Sequence, residues 1–175
     1  MKIFLEFGNQ VGVFNCYNAL GALYMDLKDY LNSEKYLKKA IELNKDLGHE
    51  AEVVETLNSL GELYFRLTKE NVKLSSYEQN NLLSIDKSIN YEKSISYTLR
   101  AVELAQRIGK KEDLIGSYKR LFNIYKQQRN YKKAFEYQGK WAAMKDSVFR
   151  KEKAKEIANL EAKRENELKD AEINL

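Results

Sequence analysis

The 175-residue chain contains no proline, one cysteine (Cys16), one histidine (His49) and one tryptophan (Trp141). Average usage would supply roughly nine prolines in this length. Their complete absence argues against a sandwich or barrel with many tight turns and favours helices joined by short polar or glycine turns. One cysteine excludes an internal disulfide framework and any zinc site built on paired cysteines. One histidine without a cysteine pair supplies no metal-ligand set, and no Ser or Cys stands with a His as a nucleophilic triad requires. The eight glycines are scattered and form no phosphate loop. Long hydrophobic runs are lacking too: Ile3 to Leu5 is cut by Glu6, too short for a signal-peptide core or a membrane span. Lys plus Arg number 30 against 26 Asp plus Glu, a net charge of +4 with no basic block, so nucleic acid is not an expected partner. The expectation is a protein that is not an enzyme and carries no cofactor and no metal.

What the chain does contain is a repeated phrase. Tyr17-x-x-Leu20-Gly21-x-x-Tyr24 returns as Leu57-x-x-Leu60-Gly61-x-x-Tyr64 and as Tyr118-x-x-Leu121-Phe122-x-x-Tyr125. A second phrase follows each. Tyr30-x-x-Ser33-x-x-Tyr36-x-x-x-Ala40 is matched by Tyr91-x-x-Ser94-x-x-Tyr97-x-x-x-Ala101 and by Tyr131-x-x-Ala134-x-x-Tyr137-x-x-x-Trp141. Apolar and small residues recur at steps of three and four, which puts them on one stripe of an amphipathic helix. Each repeat is therefore a pair of helices, A then B. Leu20 and Leu60 are 40 residues apart while Leu60 and Leu121 are 61 apart, so the second repeat carries 21 extra residues. They fall between its helices A and B, at about 68–87.

These residues resemble tetratricopeptide repeats, over about residues 11–149. The resemblance implies an all-α solenoid: a right-handed superhelix of three helix pairs. The family's closing proline is missing, Lys45 standing at its place in repeat one, and Phe122 replaces the close-packing glycine in repeat three. A Phe there is expected to push helix A from its neighbour. The 40-residue period also resembles kinesin light chains and bacterial Rap-type regulators. Residues 1–10 read as the end of a preceding repeat, because Phe7-Gly8-Asn9 precedes the first helix A as Leu47-Gly48-His49 and Ile108-Gly109-Lys110 precede the others. A half repeat buries no apolar face alone, so the chain is expected to be cut from a longer array.

Residues 150–175 differ in kind, with 14 charges, seven of each sign, and no glycine. They are expected to form a charged linker helix and a possible coiled coil. Ala154, Ile157, Leu168, Ala171 and Leu175 fit a heptad seam whose middle positions are Glu161 and Arg164. The run from Trp141 through Phe149 into this helix resembles the junction in bacterial two-component proteins where tetratricopeptide repeats hand over to a helical linker. That resemblance implies a sensory or regulatory region that leads to a histidine kinase or DNA-binding output. It implies a periplasmic location if the parent is a membrane sensor, and a cytoplasmic one otherwise.

His49 reads as a turn residue and Cys16 as a small buried one on the first helix A. The consensus tyrosines, Tyr24, Tyr64 and Tyr125 with Tyr30, Tyr91 and Tyr131, are expected to pack helices A and B together. In the family helices A line the concave face, so residues two before and two after Leu20, Leu60 and Leu121 are expected to project into it. These are Asn18 with Ala22, Asn58 with Glu62, and Lys119 with Asn123. An asparagine row, with both donor and acceptor, suits the backbone of an extended peptide. The function expected is a protein or peptide interaction module for signal transduction, with the C-terminal helix as its expected homodimer contact. A Rap-like peptide-binding regulator and a non-signalling scaffold are the alternatives.

Overall fold

The computed structural model describes residues 9–48, 50–69 and 86–173, and helices fill nearly all of them. In order they are α1 (Gln10–Asp26), α2 (Tyr30–Leu47), α3 (Glu50–Lys69), α4 (Lys87–Ile108), α5 (Lys111–Gln127) and α6 (Tyr131–Ile173). The three A/B pairs of the repeat phrases are α1/α2, α3/α4 and α5/α6. Short side chains define the starts: Asn9 Oδ1 accepts from Gly12 N at 2.8 Å, Asp29 Oδ1 from Asn32 N at 3.2 Å and Asp86 Oδ1 from Ser88 N at 2.8 Å. Between repeats the chain turns at Gly48 (φ 66°) and Gly109 (φ 74°), where a left-handed residue closes the helix and glycine carries no Cβ penalty. The turns within repeats one and three use Lys28 (φ 61°) and Arg129 (φ 59°) instead.

The Leu-Gly of helix A and the Ser of helix B form a single packing device. A Cβ added at Gly21 would lie 2.6 Å from Leu37 Cδ2, and one at Gly61 would lie 2.4 Å from Thr98 Oγ1. The close approach lets Ser33 Oγ donate to the Gly21 carbonyl at 2.7 Å and Ser94 Oγ to the Gly61 carbonyl at 2.6 Å. Repeat three replaces both partners, with Phe122 and Ala134. Phe122 stacks on Trp141 with centroids 6.3 Å apart, so two rings fill an interface built elsewhere from Gly and Ala. One contact is common to all three repeats: Tyr24 stacks on Tyr36 at 5.4 Å, Tyr64 on Tyr97 at 5.6 Å and Tyr125 on Tyr137 at 5.5 Å.

The apolar cores lie at the joints between repeats. One gathers Met25, Tyr30, Leu37, Leu60, Leu63, Tyr64 and Leu67 between repeats one and two. The other gathers residues of repeats two and three around Leu57, Ala101, Leu121 and Tyr125. Helix A packs on helix A of the next repeat, α1 on α3 and α3 on α5, whereas the backbones of α2 and α4 stay apart. The ladder therefore bends with its A helices inside.

Several expectations meet the coordinates differently. Tyr131 is not a packing residue: it is 67% exposed, because no described helix A follows repeat three. Cys16 is half-buried, not enclosed. Helix B of repeat three is the start of α6, which runs 43 residues, about 64 Å at the helical rise, across residue 149. Val148 is its last buried side chain among those described. The ends of the expected insertion are ordinary helix: Thr68 is buried within α3, and Lys87 opens α4. Residues 70–85 of that insertion lie outside the described residues, as do residues 1–8 of the partial repeat and His49.

Candidate functional site

The A helices meet at a pocket of about 380 Å³ on the inner face. α1 contributes Ala22, Met25 and Asp26; α3 contributes Glu55, Asn58, Ser59, Glu62 and Arg66; α5 contributes Asp113 and Arg120. A chain of polar contacts crosses it from one repeat to the next. Arg66 Nη1 donates to Asp26 Oδ1 at 3.0 Å and Arg66 Nε to Glu62 Oε1 at 3.1 Å. Arg120 Nε donates to Glu62 Oε2 at 3.2 Å, and its Nη1 to Asn58 Oδ1 at 2.9 Å. Glu62 thus has a guanidinium on each oxygen. Burial alone would raise its carboxyl, but Arg120 and Arg66 outweigh that and hold it below the usual carboxylate range.

Helical spacing brings three of the six expected groove residues, Ala22, Asn58 and Glu62, to this pocket. Asn18 lies one step along the same face and faces Thr56, whose hydroxyl is 2.8 Å from Asn18 Oδ1 and 3.0 Å from its own Glu52 carbonyl. Ser117 repeats the arrangement one joint later, 2.8 Å from Asn58 Oδ1 and 2.9 Å from the Asp113 carbonyl. The asparagine oxygens are therefore engaged in bonds between repeats. Lys119 leaves the row, its Nζ standing 5.6 Å over the Trp141 ring on the B side. Asn123 is half-buried on α5 and outside the pocket.

The residues that sequence reasoning missed were legible in the repeat phase. Thr56 and Ser117 both stand four residues before the phrase leucine, the place Cys16 takes in repeat one. Asp26 and Arg66 both stand six after it, so equivalent positions of consecutive repeats carry opposite charges and pair. Reading columns of the repeat, instead of each helix alone, would have found them.

A second joint contact lies behind the pocket. The Glu34 carboxylate is buried on α2, where Tyr64 Oη donates to it and Lys38 Nζ lies 2.5 Å away. Burial first, and then Glu34, push the Tyr64 hydroxyl far above the usual phenol range. On the outer side a recess of about 590 Å³ lies between α4 and the α5–α6 turn, floored by Ile95, Leu99 and Tyr125. No group of three or more His, Cys, Asp or Glu placed to hold a metal occurs among the described residues, and none of the described helices is long and apolar enough to cross a membrane.

The sequence of the first helix pair, residues 14–47, matches the tetratricopeptide repeat profile. That helix pair is similar to a tetratricopeptide repeat. The three stacked helix pairs form an all-α solenoid consistent with tetratricopeptide repeats, and such repeats are protein-interaction modules. A curated relative, tetratricopeptide repeat protein 29 of Trypanosoma brucei brucei (strain 927/4 GUTat10.1), is 28% identical over 109 residues. The aligned region is 62% of this chain and 21% of that relative, so the chain spans about a fifth of the relative's length. In tetratricopeptide-repeat terms, the pocket lies on the A-helix face at the joint of all three repeats.

Proposed function

We propose that the concave face binds an extended peptide segment of a protein partner, and that the chain is the sensory or regulatory part of a bacterial signal-transduction protein. The observation that carries the reading is the pocket itself, bounded by α1, α3 and α5 and crossed by the contacts from Asp26 through Arg66, Glu62 and Arg120 to Asn58. Ala22, Asn58 and Glu62 in the pocket, with Asn18 beside them on the same face, are the proposed contact residues. A ligand carboxylate or amide that engages Arg120 or Glu62 competes with a bond between repeats, so binding alters how the repeats sit on one another. Helix B of repeat three and the linker are one rod, so that change reaches the far end of α6. Self-association of the free half of α6 is the proposed output.

Selection of peptides from a displayed random library on the intact chain tests this reading. Binders whose affinity falls at least tenfold with Glu62→Ala or Arg120→Ala, and which change hydrogen exchange in α6, are expected. Binders that ignore both substitutions sink the concave site. Binding that leaves α6 unchanged favours a scaffold or a Rap-like regulator over a sensor.

A further inference from the structure

Beyond Val148 the helix α6 carries apolar residues with nothing against them: Ile157 is 55% exposed and Leu160 is 61% exposed. Charges on this stretch pair along the helix, Lys153 with Glu156 at 2.6 Å, Glu165 with Lys169 at 2.6 Å and Lys163 with Glu167 at 3.8 Å. Glu161 and Arg164 are three residues apart and opposite in sign, yet among the described residues they make no ion pair. They are also the two middle positions of the heptad seam, between Ile157 and position 168.

We infer that this half of α6 pairs with the same segment of a second copy, and that the two helices run antiparallel. The inference rests on the self-association proposed above and adds its direction. In a parallel pair each seam position meets its own copy, so Glu161 would face Glu161 and Arg164 would face Arg164, two like-charge layers in the middle of the seam. In an antiparallel pair first and fourth heptad positions meet instead. Glu161 then falls opposite Arg164 of the copy, twice. The antiparallel arrangement thus gives both central charges a partner of opposite sign. The occupant is a copy of this chain because the complementarity is of the segment with its own reverse.

Charge reversal in the full chain, followed by sedimentation, tests the direction. Glu161→Arg alone and Arg164→Glu alone each create like-charge layers in the antiparallel pair and should weaken dimerisation about tenfold or more, while the double reversal should restore it. In a parallel pair a single reversal only exchanges one like-charge layer for another. Spin labels provide the second readout: in a Cys16→Ser background, labels at Lys151→Cys should lie about 35 Å apart along the axis when antiparallel, 23 residues of helical rise, against about 10 Å when parallel. A dimer that the single reversals leave unchanged, with close labels, overturns the direction and leaves self-association standing. A chain that stays monomeric over the whole concentration range overturns both.

Discussion

Equivalent residues of the interior joint and of the two outer faces have the same sequence role and opposite surroundings. Leu63 of repeat two is fully buried between repeats, whereas Leu23, its counterpart in repeat one, is 53% exposed. Glu34 is a carboxylate buried against Tyr64, while Phe135, at the matching place in repeat three, is 77% exposed. A charge is inside and a phenyl ring outside because what covers a repeat is its neighbour, not itself. In a stacked array, burial belongs to the joint.

That contrast can be broken most forcefully in the core. Leu60→Ala removes a fully buried side chain from the joint of repeats one and two and should cost about 2–5 kcal/mol, whereas Leu23→Ala should stay within about 0.5 kcal/mol, both read from urea denaturation. Glycines sharpen it by sign. Gly61→Ala puts a methyl 2.4 Å from Thr98 Oγ1 and should destabilise by about 1–3 kcal/mol, because the clash outweighs the gain in helix propensity. Gly116→Ala and Gly139→Ala meet nothing within 4 Å in helix interiors and should raise stability by about 0.5–1 kcal/mol.

The tyrosines distinguish a joint from a stack. Tyr64→Phe keeps the ring on Tyr97 but leaves buried Glu34 without its phenol donor, a loss of about 1–3 kcal/mol by thermal unfolding. Tyr24→Phe, in the equivalent stack on Tyr36, should change stability by less than about 0.5 kcal/mol. The smallest effect concerns pH. The folded state holds the Glu62 carboxyl below its usual value of 4.5, so its contribution is complete above that pH and disappears as pH falls through the depressed folded value. The gap in midpoint between the parent chain and Glu62→Gln should therefore be widest near neutrality and close on acidification; a gap that widens in acid would contradict the ion network.

Much of the fold was legible because packing in a helix pair is local. Tyr24 and Tyr36, or Gly21 and Ser33, are 12 residues apart, and spacing alone assigns them to facing stripes. The pocket was half legible. Spacing placed Ala22, Asn58 and Glu62 on the inner face, but Arg66 and Arg120 reach the same point from different turns and repeats. Lys119, assigned to that row, leans instead over Trp141 because that ring replaces an alanine and offers a face for the ammonium.

By itself the sequence determined which residues pair within a repeat and that these pairs form an all-α stack of repeats. Periodicity and capping act over a few residues and need no partner from far away. Only the tertiary structure decided which of the repeated positions are covered, that the asparagine oxygens tie repeats together, and that Asp26, Arg66, Glu62 and Arg120 form one network. Those outcomes depend on contacts between residues up to 62 positions apart, as Asn58 and Arg120 are, and on the angle at which one helix pair lies on the next.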